Sequence, residues 1–350
     1  MAIKYKWLAS QLENRIKQNR GLGMDRLPSE QELCKTYQVS RQTVRQALAL
    51  LQERNLIIKK QGSGSYINFL SANASENGIA LLLPESEDYI YPGLINELTK
   101  AIENKGFFVR LFRTGRRLDE ERRILQELLQ TPCRGLIAEA TQSAGCNPNL
   151  ELYEKLYQNS CNIVFLNNNY PSLSFFPSIK DNNQEGSRLL VRHLIRQGHS
   201  AIAGIFSGDD ISGQERAMGY MQELLAQALP FCDEFISYYN GAVPDFTVQK
   251  LNETQLTQCS AFLCQNDRAA YALILHLRNC GYSLPEDYAI VSFDHSYLSQ
   301  SRILPITSLA HKPHEMANRA VAALFDQIKG LPVSSQEVPW TLVEQFPSSI

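Results

Sequence analysis

The stretch Ser40-Arg41-Gln42-Thr43-Val44-Arg45-Gln46-Ala47-Leu48, continuing to Leu51, decides how the first part of the chain reads. Ser40 is a residue that caps helix N-termini. After it, Val44, Ala47, Leu48 and Leu51 recur at i, i+3, i+4 and i+7, the apolar stripe of an amphipathic helix. The free face carries Gln42, Arg45, Gln46 and Ala49, with Arg41 at the exposed N-terminal end. Long amide and guanidinium donors on a protruding helix suit the base edges of a DNA major groove.

Upstream, Leu27-Pro28-Ser29-Glu30-Gln31-Glu32-Leu33 predicts a second, shorter helix. Ser29 and Glu32 stand at capping-box spacing, and Leu33 and Tyr37 supply the buried face. Trp7, Leu8, Leu12 and Ile16 predict a first helix that ends near Gly21. Downstream, Leu56 to Lys60 predicts a strand, Gln61-Gly62-Ser63-Gly64 a tight turn, and Ser65-Tyr66-Ile67 the returning strand. Three helices and a glycine-tipped hairpin make a winged helix-turn-helix, whose third helix enters the major groove while the wing follows the backbone or minor groove. Charge agrees with this reading. Residues 1–69 hold 12 Lys and Arg against 5 Asp and Glu, whereas residues 70–350 hold 22 against 31, so the net charge of −2 conceals a basic module joined to an acidic one.

The quoted residues at 27–33 and 37–48, with Gln61 to Ile67, resemble the GntR family of bacterial repressors. That resemblance implies that Arg41, Gln42, Thr43 and Arg45 meet operator DNA and that the wing tip at Gln61 and Gly62 joins them. Lys4, Gln46 and Gly64 complete the expected DNA-binding set.

Residues 70–77 are small and polar and read as a linker between a domain at 1–69 and a larger one at 78–350. From Gly78 onward short apolar strands alternate with amphipathic helices, beginning with Ile79 to Leu83 and the helix from Leu94 to Lys105. The alternation continues to the strand Ala289 to Phe293. Such alternation predicts an α/β fold with doubly wound parallel sheets, and the number of strands requires two. Ligands of such sheets sit at the carboxyl ends of the strands. The polar residues there are Glu85 to Tyr91, Glu139, Asn167 to Asn169, Asp209 and Asp210, Asn266 and Asp267, and Asp294 and His295. Carboxylates and amides with an arginine and a tyrosine wall suit a polyhydroxylated ligand. Helix capping and turn formation account for Asn and Asp at such positions equally well.

Gln214 to Tyr220, Ala261 to Asp267 and Leu284 to Asp294 resemble the effector-binding core of the LacI family. That resemblance implies two subdomains of the periplasmic-binding-protein-like type I fold closing on a ligand. It puts Arg216, Asn266 and Asp294 at sugar-contact positions and Asn167 at a further polar one. His295 stands where many relatives have a second aspartate. Tyr89, Tyr91 and Glu139 complete the expected effector set. The pairing of the two modules resembles the arabinose-responsive repressors, with Asp88 to Pro92, Gly135 to Thr141 and Gly204 to Asp210 carrying the closer likeness. L-arabinose or a similar pentose is the implied inducer, with a phosphosugar or nucleobase as the alternative.

An enzyme is disfavoured because GxSxG, HExxH, GxxxxGK[ST] and GxGxxG are all missing from the sequence. His311 and His314 read as surface or capping residues. A transport protein is disfavoured by the DNA-binding head and by an N-terminus without a signal-peptide core. Eight scattered cysteines without a CxxC pair read as reduced thiols. The expected protein is therefore a cytoplasmic homodimer with operator DNA and a sugar as partners, and with no metal, cofactor or membrane contact.

Overall fold

The computed structural model describes residues 2–18, 27–53, 57–60, 64–67, 78–85, 87–246, 251–300 and 305–345. The expected linker at 70–77 and the wing-tip residues Gln61 and Gly62 lie outside them. The chain divides into two compact units near residue 78.

In the first unit, helices α1 (Ala2–Gln18), α2 (Glu30–Tyr37) and α3 (Arg41–Glu53) precede the antiparallel hairpin of β1 (Ile57–Lys60) and β2 (Gly64–Ile67). The capping box predicted for α2 is present: the Glu32 amide donates to Ser29 Oγ at 3.3 Å, and the Ser29 amide donates to Glu32 Oε2 at 2.7 Å. Gln38 ends that helix in the left-handed region, at φ 50°. Ser40 caps α3 by accepting the Thr43 amide at 3.2 Å. Val44, Ala47, Leu48 and Leu51 are buried against Leu8 and Leu12 of α1. The stripe read from the sequence is thus the core of the unit, and α3 turns its polar face outward.

The second unit contains two six-stranded sheets. The first subdomain begins with β3 (Gly78–Leu83), α4 (Tyr91–Glu103), β4 (Phe108–Arg113) and α5 (Leu118–Gln130). It continues with β5 (Gly135–Ala138), α6 (Leu150–Gln158), β6 (Asn162–Leu166) and β7 (Ser178–Asp181). The second takes α7 (Asn183–Arg196), β8 (Ile202–Ser207), α8 (Ile211–Ala226), β9 (Ile236–Tyr239) and α9 (Glu253–Gln258). It then takes β10 (Ala261–Cys264), α10 (Asp267–Asn279), β11 (Ala289–Asp294) and β12 (Thr307–Ala310). Helix α11 (Pro313–Ile328) returns to the first subdomain, where Met316, Ala320 and Leu324 pack on Ile79, Leu81 and Ile137. Strand β13 (Gln336–Val338) pairs in parallel with β7, and β14 (Thr341–Val343) pairs antiparallel with β12.

The chain therefore crosses between the subdomains three times: after Asp181, after Ala310 and after Val338. The strand orders are β13-β7-β6-β5-β3-β4 and β14-β12-β11-β10-β8-β9. Burial of β3, β5, β8 and β10 along their whole lengths explains their unbroken apolar runs. Within the second subdomain α7 and α8 pack closely enough that a Cβ on Gly219 would lie 2.2 Å from the Gln184 carbonyl oxygen. Asp267, fully buried, accepts from the Ser292, Ser296 and Ser308 hydroxyls and so ties together the ends of β10, β11 and β12.

Candidate functional site

Two surfaces concentrate polar side chains without using them in the core. On the winged head, Lys4, Arg41, Gln42, Arg45 and Gln46 are exposed, and Thr43 is half-buried beside its hydroxyl partner Ser40. Glu30 of α2 holds the Arg45 guanidinium at 3.0 Å while that side chain stays 68 % exposed. Gly64, the remaining predicted wing residue, opens β2 and pairs with Lys60.

The second surface is a cleft between the two sheets, with about 770 Å³ of space including its mouth. All seven residues expected to contact an effector line it: Tyr89, Tyr91, Glu139, Asn167, Arg216, Asn266 and Asp294. The topology explains the convergence. Glu139 follows β5, Asn167 follows β6, Asn266 follows β10 and Asp294 ends β11, so the carboxyl ends of both sheets point at one space. Asn169, expected with its neighbours, is not part of the lining. Asn266 also has the local role that its residue type suggests, because its Oδ1 caps α10 at the Ala269 amide, 2.9 Å away.

Arg216 is the centre of the second subdomain's side. Its Nε donates to Asn183 Oδ1 at 2.9 Å, and one terminal nitrogen donates to the Gln265 carbonyl. The other terminal nitrogen stands 3.8 Å from Asp294. The guanidinium lies 4.1 Å over the Phe293 ring. Three contacts fix its plane and one aromatic face supports it, so the remaining hydrogen-bonding edge is preorganised for a ligand.

Contacts across the cleft bind the subdomains to each other. The Tyr89 hydroxyl donates to Asp294 at 2.7 Å, with its ring covered by Arg268 at 4.4 Å. Arg268 makes a two-pronged pair with Glu85 at 3.0 and 2.9 Å, and Arg116 reaches Asp210 at 2.6 Å. The Ser212 amide donates to Asn168 Oδ1 at 3.0 Å. The described cleft is closed.

Backbone conformation marks the same place. Among the described residues nine non-glycine residues have positive φ, and Tyr89, Arg116, Asn167 and Asp294 of the lining are four of them. Such conformations cost on the order of 1–3 kcal/mol each and persist where surrounding contacts impose them.

Glu139 is buried beside Asp210 and accepts from the Tyr91 hydroxyl and from the Asn167 and Asn168 amides. Burial, reinforced by Asp210 and opposed by the two amides, pushes its carboxyl up to about 7. The folded state therefore holds this proton more tightly than the unfolded chain, and the stability so gained is present below the ordinary carboxylate range and lost as pH rises through 7. Glu139→Gln is expected to stabilise the protein at pH 8 by about 2 kcal/mol, read as a rise in Tm of roughly 4–8 °C that shrinks toward zero near pH 4.5. Asn167 now presents Nδ2 to Glu139 Oε2 at 2.9 Å, and turning its amide over, which costs no existing hydrogen bond of its unpaired Oδ1, presents an acceptor to the new amide nitrogen instead. A lower Tm at pH 8 contradicts the assignment.

The sequence reading missed several lining residues. Arg116 follows β4 in a turn without a motif. Asp181 and Asn183 flank the first crossing and His311 follows the second. The sequence reads His311 as a surface or capping residue. Instead its side chain is only 4 % exposed and its Nδ1 pairs with Asp181 Oδ2 at 2.8 Å, because β12 carries it to the cleft floor. His314 behaves as expected, exposed and paired with Glu97 at 2.6 Å.

Comparison with known proteins identifies both modules. Residues 4–67 match the bacterial regulatory proteins of the gntR family, and residues 191–345 match the periplasmic binding protein-like domain. The arabinose metabolism transcriptional repressor of Geobacillus stearothermophilus is 30 % identical over 312 residues, 87 % of this chain and 85 % of that one. The arabinose metabolism transcriptional repressor of Halalkalibacterium halodurans is 27 % identical over 340 residues, covering 94 % of this chain and 90 % of the relative. Two solved structures share the fold. A periplasmic binding protein/LacI transcriptional regulator from Alkaliphilus metalliredigens, complexed with D-xylulofuranose, has a TM-score of 0.64 and 21 % identity over 77 % of this chain and 97 % of that chain. The transcriptional regulator CelR, in complex with cellobiose, has a TM-score of 0.67 and 21 % identity over 88 % and 91 %. A GntR-type winged head on a periplasmic-binding-protein-like body defines a class of DNA-binding transcriptional regulators with a ligand cleft. Within that class the chain belongs to the family of arabinose metabolism transcriptional repressors, and is a sugar-responsive repressor rather than an enzyme.

Proposed function

We propose that L-arabinose or a similar pentose is the inducer, bound by Tyr89, Tyr91, Glu139, Asn167, Arg216, Asn266 and Asp294. In this reading a cytoplasmic homodimer places two heads on a pseudo-palindromic operator, with Lys4, Arg41, Gln42, Thr43, Arg45, Gln46, Gln61, Gly62 and Gly64 as the DNA-binding residues. The observation that carries the choice of effector is the charge balance of the cleft. Glu85, Glu139, Asp181, Asp210 and Asp294 face Arg116, Arg216 and Arg268, and every one of these arginines already stands beside a carboxylate. A neutral polyol finds donors and acceptors there, whereas a phosphate finds no cation to spare. The names of the two curated relatives support the pentose.

Sugar favours the closed cleft, and a head geometry coupled to closure loses operator affinity by the same free energy that it withdraws from sugar binding. Gel shifts of operator DNA with pentoses, hexoses and their phosphates test this. L-arabinose is expected to release the operator at lower concentration than any phosphorylated sugar. Release by a phosphosugar alone rejects the pentose, and an unchanged bound fraction with every compound rejects induction. No helix among the described residues is long and apolar enough to cross a membrane.

A further inference from the structure

Among the described residues nine buried side-chain atoms lack a hydrogen-bond partner, and four belong to the cleft lining: Arg116 Nε, Asn167 Oδ1, Asp181 Oδ1 and His311 Nε2. Two of the four lie in a single pair. Asp181 ends β7 at the first crossing and His311 follows β12 at the second, so their 2.8 Å contact joins one sheet to the other where the chain passes between subdomains. Their side chains are 7 % and 4 % exposed. Each therefore spends one polar atom on the other and keeps one buried atom without a partner, and both residues line the cleft. An unpaired polar atom buried in a cleft costs free energy that a ligand hydroxyl recovers.

We propose that Asp181 and His311 form a hydroxyl-binding dyad on the cleft floor, through which the two hinge segments themselves grip the sugar. The inference rests on the pentose reading above and adds to it the residues that read the sugar's edge nearest the hinge. With Nδ1–H donated to Asp181, His311 Nε2 is left to pair with one hydroxyl, and Asp181 Oδ1 accepts the proton of a second. A hydroxyl both donates and accepts, so the dyad serves in either charge state of the imidazole. The arrangement also explains why a histidine is kept in a buried position: held by Asp181 on one side, its ring is oriented toward the cleft on the other.

The test is titration calorimetry of the full-length protein with L-arabinose and its monodeoxy analogues at C2, C3 and C4. The natural chain is compared with Asp181→Asn, which preserves shape, with His311→Leu, and with His311→Gln as the variant that restores a polar atom. Folding of each is checked by Tm. Asp181→Asn and His311→Leu are expected to weaken L-arabinose binding roughly 10- to 100-fold, with His311→Gln in between. Each of the two is also expected to stop discriminating against one particular deoxy analogue, an outcome that a merely structural hinge pair does not produce. If Asp181→Asn or His311→Gln folds and binds L-arabinose and every deoxy analogue as the natural chain does, the dyad is overturned and the pentose reading stands. If the natural chain binds no pentose, both fail together.

Discussion

Arg216→Met is expected to raise the Kd for the effector by at least about 100-fold while leaving operator binding intact, so that the variant represses in the presence of sugar. Arg216 is 7 % exposed and gathers groups from three elements: Asn183 at the first crossing, the Gln265 carbonyl beyond β10, and Asp294 at the end of β11. Methionine keeps a flexible apolar side chain on the Phe293 and Trp340 rings, which the guanidinium now covers at 4.1 and 5.4 Å. What it removes is the cation. Asp294 is left 8 % exposed with the Tyr89 hydroxyl as its remaining side-chain hydrogen bond among the described residues, in a cleft that four other carboxylates line. The loss of ligand hydrogen bonds from a charged group adds to that. Calorimetry with L-arabinose and gel shifts on the same preparation measure the two effects separately. An unchanged sugar affinity removes Arg216 from the proposed site, and a lost operator affinity assigns it to the fold instead.

Gly219→Ala is expected to destabilise the second unit by about 3 kcal/mol and to lower its Tm by roughly 6–12 °C. The added Cβ meets backbone, not a movable side chain: Gln184 O at 2.2 Å, Gln184 Cα at 2.7 Å and Gln184 C at 2.8 Å. Helix α7 cannot retreat freely. A Cβ on its own Gly186 would already stand 2.7 Å from Phe293 and from Trp340, and Asn183 at its start is tied to Arg216 at 2.9 Å and to Glu215 at 2.9 Å. Met218→Ala, one residue away and 44 % exposed, serves as the control and is expected to change stability by less than about 0.5 kcal/mol. Equal Tm values for the two variants contradict the packing argument. Because Gly219 holds α8 against α7, and α8 carries Arg216, the glycine also sets the position of the proposed sugar contact.

Much of this protein is written locally. The caps at Ser29, Ser40 and Asn266 form where their residue types predict, since a cap needs only a side-chain oxygen and an amide two or three residues on. The stripe from Val44 to Leu51 and the buried run from Ile79 to Leu83 follow from periodicities of a helix and a doubly covered strand. Six of the seven proposed effector residues were legible for the same reason, because they stand at or just beyond strand ends, and parallel strands in a doubly wound sheet deliver their carboxyl ends to one side; Arg216, inside α8, was reached only through the family resemblance. Three short elements, β7, β13 and β14, carry no comparable signal. The three- and four-residue stretches are too brief to show a period, and β13 meets β7 with Gln336 opposite Ile179, far back along the chain. That long-range pairing, with the packing of α11 on the first sheet, creates the crossings. The crossings in turn carry Asp181 and His311 to the cleft floor, and the tertiary approach of the subdomains sets Arg116 against Asp210 and Arg268 against Glu85. The two modules, the helix α3 and the strand-end residues were legible along the chain, because these depend on neighbours within a few positions. The tertiary structure decided which side chains share the cleft and which carboxylate faces which cation, because electrostatic pairing depends on distance in space and leaves no periodic trace along the chain.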